Sequence, residues 1–170
     1  MNYNPLFRFR PFEYNYEFDY IFAGAGAASL SLLIRMLHCK QYEKRTFLIV
    51  DQDRKETNDR TWCYWEKGPG FFDSLVHKKW DKLWFHGEGY SKQFNIAPYQ
   101  YKMIRGIEFY KSCFDFLKQQ KNVTILFEPV AKIEDTEKYA RLEILNGEEY
   151  YATRQLFNSI PFRQPYADEN

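Results

Sequence analysis

Apolar positions along the chain form short runs and helical stripes whose order predicts the first elements of the fold. Apolar runs at residues 20–23, 46–50 and 123–127 predict three buried strands of a parallel sheet, because such strands are covered on both faces. Between the first two runs, apolar residues at helical spacing predict a helix over residues 27–39. The apolar stripe of that helix consists of Leu30, Leu33, Ile34 and Leu37.

A second helical stripe and a pair of short strands are predicted in the middle of the chain. The stripe recurs at steps of four and three residues and predicts an amphipathic helix of about four turns. Ahead of it, residues 84–86 and 92–96 predict two strands inserted around a turn at residues 87–89. The stripe consists of Met103, Ile107, Tyr110, Phe114 and Leu117.

The period of the pattern changes to two after residue 129. Residues 130–135, 139–145 and 148–152 predict a β-meander with a hairpin turn at Asn146-Gly147, and residues 156–159 predict a strand that returns to the parallel sheet. A meander that connects two parallel strands is typical of FAD-binding flavoproteins. The predicted fold class is therefore α/β, a Rossmann-like FAD-binding three-layer ββα sandwich with a β-meander crossover.

The turn between the first strand and the first helix carries candidate chemistry. Gly24 permits a tight turn because it has no Cβ, and Gly26 lets the backbone and the helix N-terminus approach a pyrophosphate. Ser29 stands at the third small position, so the fingerprint is GxGxxS. Asp51 ends the second strand, where a carboxylate accepts ribose hydroxyls. The small-residue turn alone is a weak signal, but this context predicts dinucleotide binding by Gly24, Ala25, Gly26, Ala27, Ala28 and Asp51.

Length and composition describe an ordinary globular chain. It has 170 residues, of which 45% are hydrophobic and 28% charged, and its net charge of +1 gives no reason to expect nucleic acid as a partner. We interpret residues 1–17 as an N-terminal extension and residues 18–170 as one FAD-binding domain, with the inserted strand pair near residues 83–96. The aromatic content of 20% indicates either core packing or a pocket for a large conjugated ligand.

Cysteine and apolar patterning predict a cytoplasmic protein. The three cysteines and three histidines show no metal-ligand spacing, so we expect free thiols and no metal. The longest uncharged apolar stretch, residues 20–34, is shorter than the ~20 residues that cross a bilayer, and it lacks the features of a signal peptide. The cysteines are Cys39, Cys63 and Cys113.

The segment NDRTWCYWE, residues 58–66, follows the glycine turn and Asp51 and resembles the lycopene β-cyclase family of carotenoid biosynthesis. The similarity covers residues 20–159. Residues 101–110 are similar to the family's segment ahead of its second helix, and the strand at residues 156–159 resembles its returning strand, where the family has Asp in place of Asn158.

The resemblance implies an enzyme that binds FAD, needs it reduced by NADH or NADPH, and closes the ψ end groups of lycopene or another linear carotene into β-ionone rings, giving γ-carotene and β-carotene. It also implies a peripheral contact with the inner face of the cell membrane, because such carotenes dissolve in lipid. The protonating acid is expected in the family's C-terminal half, beyond Asn170. We therefore expect residues 1–170 alone to bind FAD weakly and not to cyclise lycopene.

By the same resemblance, Arg60 would lie near the flavin and Arg105 near the adenosine or pyrophosphate. Glu66 is a candidate contributor to catalysis, or else a surface or ion-paired carboxylate. Core packing is the alternative for the two tryptophans among the substrate-binding candidates. These candidates are Trp62, Tyr64 and Trp65.

Two other functions remain open at this point. One is another FAD-dependent oxidoreductase of the same superfamily, such as a prenyl reductase or an aromatic hydroxylase, although neither explains NDRTWCYWE. The other is a truncated, non-catalytic module that at most binds a nucleotide.

Overall fold

The computed structural model describes residues 16–161, and the chain divides into two compact units. The first unit contains the chain up to Gln52 and from Asn122 onward, and the second unit is Asp53–Lys121. The predicted insertion comprised only the strand pair near residues 83–96, whereas the second unit takes in the whole of residues 53–121. Of the predicted extension over residues 1–17, residues 1–15 fall outside the described residues, and the structure assigns Glu17 to the first strand instead.

The elements within residues 16–161 are, in chain order, β1 (Glu17–Ala23), α1 (Ala27–Leu37), β2 (Phe47–Val50), β3 (Thr61–Glu66), β4 (Lys78–Trp80), β5 (Lys82–Gly87), β6 (Tyr90–Asn95), β7 (Gln100–Arg105), α2 (Gly106–Leu117), β8 (Val123–Leu126), β9 (Val130–Asp135), β10 (Ala140–Ile144) and β11 (Glu149–Asn158). Short 3₁₀ turns lie at Lys40–Tyr42 and Asp73–Leu75.

The first unit is built on one six-stranded sheet with the order β8-β2-β1-β11-β10-β9. The four strands β8, β2, β1 and β11 are parallel, and β9, β10 and β11 form the antiparallel meander. The Rossmann-like α/β class and the meander crossover are thus confirmed. The predicted break between residues 152 and 156 is wrong, because β11 runs without interruption and pairs with β10 and then β1.

The core of the first unit follows the predicted apolar runs. All four residues of β2 are buried, and so are Leu30, Leu33 and Ile34 of α1, while Leu37 is half-buried. The helix ends at Leu37, two residues earlier than predicted, where the His38 N–H donates to the Ile34 carbonyl. Strand β8 is parallel to β2 as predicted but is not fully buried, because it lies at the edge of the sheet and exposes Thr124.

The second unit contains an antiparallel sheet of order β3-β7-β4 and the separate β5–β6 hairpin, whose two strands were predicted. The helix α2 begins at Gly106, so the prediction that Met103 lies on it is wrong. Met103 belongs to β7, where it pairs with Cys63 of β3 and Lys78 of β4. The sheet hydrogen bonds on both sides of Met103 outweigh the helical spacing of the apolar residues.

Candidate functional site

The turn after β1 is tight and has a positive φ at Gly24, as the glycine at this position predicts. Gly24 has a φ of +95°, in the region that favours glycine, and its N–H donates to the Val50 carbonyl at 2.7 Å. A Cβ added to Gly24 would lie 2.3 Å from Oγ of Ser159. Both the backbone angle and the space therefore exclude a larger residue at this position.

Gly26 leads into α1 and has open space around it. Apart from Gly26 and its two chain neighbours, no atom of the described residues lies within 4 Å of the position that a Cβ would take there, and the Gly26 carbonyl accepts the N–H of Leu30 at 3.0 Å. Among the described residues no side chain caps this helix N-terminus, and its first turn contains no acidic residue. The arrangement leaves the positive end of α1 accessible to a phosphate, and phosphate binding is the role predicted for Gly26, Ala27 and Ala28.

Asp51 lies at the carboxyl end of β2 and is held there by two hydrogen bonds. Its N–H donates to the Leu126 carbonyl at 3.1 Å, and its Oδ2 accepts the N–H of Ala25 at 2.7 Å. The structure therefore brings the predicted acid directly to the glycine turn. Because Asp51 is half-buried, its carboxylate is positioned and still accessible for recognition of a ribose.

Sequence analysis did not identify Ser159, which completes the back of the turn. The buried Ser29 hydroxyl donates to Oγ of Ser159 at 3.1 Å, and the Ser159 hydroxyl donates to the Ala23 carbonyl at 3.0 Å. The neighbouring Asn158 accepts the Ile160 N–H on its own Oδ1 at 2.9 Å. No local signal marks Ser159, because it lies 130 positions from Ser29.

Strand β3 carries the substrate-binding candidates on two opposite faces. Its burial alternates, so that Trp62, Tyr64 and Glu66 are half-buried while Trp65 is 53% exposed. The indole of Trp62 contacts Phe109 and Tyr110 edge-on, with ring centroids 5.3 and 5.4 Å apart. The candidates therefore do not form one wall, and Trp62 takes part in packing within the second unit.

Glu66 belongs to an ion cluster around a buried lysine. Nζ of Lys102, whose side chain is 0% exposed, donates to Glu66 Oε2 at 2.8 Å, to Asp73 Oδ1 at 2.7 Å and to the Gly68 carbonyl at 2.6 Å. Burial acts to lower the pKa of Lys102, but the hydrogen bonds to Asp73 and Glu66 outweigh it and raise that pKa. The surroundings of Glu66 are therefore those of an ion-paired carboxylate, which was the alternative to a catalytic role.

The two candidate arginines lie in the second unit, at the same end of the β3–β7 pairing, where Arg105 is opposite Thr61, the residue after Arg60. Arg60 is largely exposed, its Nε lies 3.3 Å from Asp59 Oδ2, and its carbonyl accepts the Gly106 N–H. Arg105 directly precedes α2 and pairs with Glu108, which raises the pKa of the guanidinium. Within residues 16–161 the buried Nε of Arg105 has no hydrogen-bond partner.

Trp65 has two aromatic neighbours that sequence analysis missed. It lies directly opposite Tyr101 of β7, which lies opposite Trp80 of β4, so the three residues form a row across the sheet. The ring centroids of Tyr101 are 5.1 Å from those of Trp65 and 5.8 Å from those of Trp80. We call this row the aromatic ladder. The sequence alone does not show that Trp80 and Tyr101 lie beside Trp65, because their proximity depends on the strand register.

The order of parallel strands, the glycine turn and the acid after β2 define the chain as an α/β protein with the Rossmann-like fold of FAD-dependent enzymes. The chain belongs to the lycopene cyclase protein family, whose sequence model matches residues 19–169. The suspected resemblance to the lycopene β-cyclase family is thereby confirmed. None of the curated proteins matches the chain.

Solved structures share this fold at low sequence identity. PqsL, a probable FAD-dependent monooxygenase from Pseudomonas aeruginosa, is 11% identical with a TM-score of 0.59, over 80% of this chain and 40% of its own. The R204Q variant of Klebsiella pneumoniae HpxO, complexed with FAD, is 14% identical with a TM-score of 0.59, over 83% and 38%. The p-nitrophenol 4-monooxygenase PnpA from Pseudomonas putida is 15% identical with a TM-score of 0.57, over 81% and 39%. This chain thus spans about two fifths of each structure.

Two features of the described residues concern membrane spans and metal sites. Between residues 16 and 161, no helix combines the length and apolar character needed to cross a bilayer. Over the same range, no group of three or more histidine, cysteine or acidic side chains is arranged to hold a metal ion.

Proposed function

We propose that this chain forms the FAD-binding part of a lycopene β-cyclase, which closes the ψ end groups of lycopene into β-ionone rings. The observation that carries the proposal is the Ala25–Asp51 hydrogen bond at the uncapped N-terminus of α1, in a chain of the lycopene cyclase family. This hydrogen bond places an acid that can bind a ribose beside a turn that can bind a pyrophosphate, which is the arrangement that an adenine dinucleotide requires.

The residues of the first unit fit FAD. Gly24, Ala25, Gly26, Ala27 and Ala28 would hold the pyrophosphate with backbone N–H groups, and Asp51 would accept the ribose hydroxyls. We extend the proposal to Arg60 near the flavin and to Arg105 near the adenosine or pyrophosphate. The buried, unpaired Nε of Arg105 supports a role for that side chain beyond its pair with Glu108.

The proposed reaction is an isomerisation without net redox change. A proton adds to the terminal double bond of the ψ end group and leaves a tertiary carbocation. The neighbouring alkene attacks that carbon and closes the six-membered ring, and loss of a ring proton restores the double bond, so one proton enters and one leaves. Reduced FAD, with NADH or NADPH as the reductant, would supply negative charge near the cation when bound.

The chain's own contribution is an apolar, aromatic environment that excludes water from a cation. Within the proposal, Trp65 contacts the polyene, because it is exposed and continues into the aromatic ladder, and aromatic faces stabilise cations. Trp62 and Tyr64 support the same sheet from its other face. We assign Glu66 to the ion cluster with Lys102 and place the protonating acid in the C-terminal half of the family fold.

Flavin binding tests the first part of the proposal. The purified protein is titrated with FAD, and the quenching of flavin fluorescence gives the dissociation constant. Gly26→Ala should weaken binding at least tenfold, because the new Cβ would occupy the open space at the phosphate position, while the far-ultraviolet circular dichroism stays unchanged. The matched control is Gly87→Ala, in the hairpin of the second unit, which should bind FAD like the parent. Absence of FAD binding by the parent, or equal binding by both variants, would contradict the proposal.

Pigment analysis tests the reaction. The whole reading frame that contains this chain is expressed in a bacterium that accumulates lycopene, and the carotenes are separated by chromatography. We expect γ-carotene and β-carotene from the whole reading frame and unchanged lycopene from residues 1–170 alone. Reduced or hydroxylated carotenes would instead indicate a redox enzyme of the same fold, and unchanged lycopene from the whole reading frame would refute the cyclase proposal.

A further inference from the structure

The β5–β6 hairpin has one mostly apolar face and one mostly polar face, and Trp84 lies on the mostly polar one. In its register Leu83 is opposite Phe94, and Phe85 is opposite Lys92, so these four side chains share a face that Tyr90 extends. The ring centroids of Tyr90 and Phe85 are 6.1 Å apart, and Nζ of Lys92 lies 5.3 Å from the ring centroid of Phe94. The opposite face carries Lys82, Trp84, His86, Ser91, Gln93 and Asn95.

The apolar face of the hairpin is exposed. Phe85 is 61% exposed, Tyr90 47% and Phe94 42%, and β6 is exposed along its whole length. Within the described residues the two strands form a sheet of their own. A two-stranded hairpin is at best marginally stable in water, so an amphipathic one with an uncovered aromatic face indicates a surface that covers it.

We propose that the apolar face of this hairpin, which we call the hairpin face, lies flat on an anionic lipid bilayer. Its aromatic rings would enter the headgroup region, where Tyr and Phe pack against acyl chains, while the Lys92 ammonium reaches the lipid phosphates along its apolar stem. The hairpin face itself carries one charged side chain, the cationic Lys92, while Lys82 lies on the opposite face and Glu88 in the turn, so the charge of this face complements an anionic surface.

A second copy of the chain fits the hairpin face less well than lipid does. The exposed parts of Phe85, Tyr90 and Phe94 amount to about 300 Å², because an aromatic side chain offers roughly 150–250 Å². A stable protein dimer buries about 800 Å² on each partner. A bilayer has no such minimum, since each inserted ring contributes separately to membrane binding.

Co-sedimentation with vesicles tests the proposal, with no carotene or FAD added, so that the result is independent of the proposed reaction. The full chain is mixed with vesicles of phosphatidylcholine and phosphatidylglycerol, and with vesicles of phosphatidylcholine alone. We expect binding to the mixed vesicles that weakens with salt, and much weaker binding to the neutral ones. Equal binding to both compositions, or to neither, would overturn the proposal.

Two neighbouring residues of similar exposure, on opposite faces of the hairpin, provide the variants. Phe85→Ser should reduce binding to the mixed vesicles by about tenfold, because it removes an inserted ring. Trp84→Ser is the matched control, since Trp84 is 59% exposed on the opposite face, and it should bind like the parent. Tyr90→Ser, also on the hairpin face, repeats the test should Phe85→Ser fail to fold.

Equal losses in the Trp84 and Phe85 variants, or no loss in either, would show that the hairpin does not lie on lipid by this face. A parent chain that elutes as a dimer and becomes a monomer on Phe85→Ser would assign the hairpin face to a second copy instead. Either outcome leaves the FAD titration of the Gly26 variant unaffected, so a failure here is distinguishable from a failure of the proposed function.

Discussion

The Ser29 hydroxyl donates to Oγ of Ser159 at 3.1 Å and thereby ties the first turn of α1 to the residue after β11. In many dinucleotide sites the third small residue is glycine, which allows close packing of helix and strand. Here the space beside the turn is filled by two small hydroxyl groups, of which Ser29 donates to Ser159 and Ser159 donates to the Ala23 carbonyl. The departure from GxGxxG is thus accommodated by a residue 130 positions away, and the turn keeps its shape.

Gly24 should be the least replaceable residue of the turn. We expect Gly24→Ala to lower the free energy of unfolding by about 2 kcal/mol, because a Cβ at φ +95° is strained and would lie 2.3 Å from Ser159 Oγ. Urea unfolding followed by circular dichroism measures the change. Gly26→Ala is the control, with φ −76° and open space, and should alter stability little. Equal stabilities of the two variants would contradict the geometry of the turn.

Much of this site could be predicted because its parts are local. The strand, turn and helix from residue 20 to residue 37 follow one another, and Asp51 is marked by the end of an apolar run. The Ser29–Ser159 pair could not be predicted, since it depends on the register of β11 beside β1, in which Ala23 lies opposite Asn158. Register between distant strands is decided by packing that a single sequence does not display.

The second unit was harder to predict for a physical reason. In β3 the aromatic residues Trp62, Tyr64 and Trp65 lie on both faces, so no apolar–polar alternation marks the strand or shows that Trp65 faces away from Trp62. Met103 fits both a helical stripe and a strand, and the sheet pairing with Cys63 and Lys78 decides between them. A lysine in that region predicts a surface position, whereas Lys102 is buried.

The buried Lys102 should be essential to the second unit. We expect Lys102→Met to lower the free energy of unfolding by about 3 kcal/mol, because Glu66 and Asp73 lose their shared cation and lie close together as like charges. Lys79→Met is the control: Lys79 also pairs with Asp73, at 2.8 Å, but its side chain is 39% exposed, so the loss should be small. Similar losses for both lysines would contradict a special role of the buried one.

The same cluster predicts how stability depends on pH. The hydrogen bonds from Lys102 and Lys79 lower the pKa of Asp73 below its usual value of 3.8. A carboxylate with a lowered pKa stabilises the folded state fully above the unfolded-state pKa, and this stability is lost as the pH falls through the folded-state pKa. We therefore expect the free energy of unfolding to fall below about pH 4. In Asp73→Asn the fall should be shallower, while the exposed Asp115→Asn should follow the parent; parallel curves for all three would refute the assignment.

The thiols should differ in reactivity. Burial raises the pKa of Cys113 to about 12, whereas Cys39 and Cys63 are exposed. Since the thiolate is the reactive form, we expect two thiols per chain to react quickly with a disulfide reagent in the native state and the third only after denaturant is added. Cys113→Ala should leave the fast reaction unchanged at two thiols. A fast count of three, or a fast count that falls in that variant, would contradict the burial of Cys113.

Substitutions of Trp62 and Trp65, three residues apart on β3, should distinguish a packing role from a substrate contact. Trp62→Ala should lower the free energy of unfolding by about 3 kcal/mol, because the indole packs against Phe109 and Tyr110. Trp65→Ala should cost about 1 kcal/mol or less, since that side chain is 53% exposed and its main contact is the cross-strand one with Tyr101.

The yield of cyclic carotene, compared at matched protein levels, should depend strongly on Trp65 although the stability of the fold does not. In the lycopene-accumulating host, the whole reading frame with Trp65→Ala should accumulate folded protein yet produce at least tenfold less cyclic product, because the polyene loses an aromatic contact. Trp65→Phe keeps an aromatic face and should recover most of the yield. Full yield from Trp65→Ala would remove Trp65 from the proposed substrate site, and failure of Trp65→Phe to recover any yield would show that an aromatic face is not what the site requires.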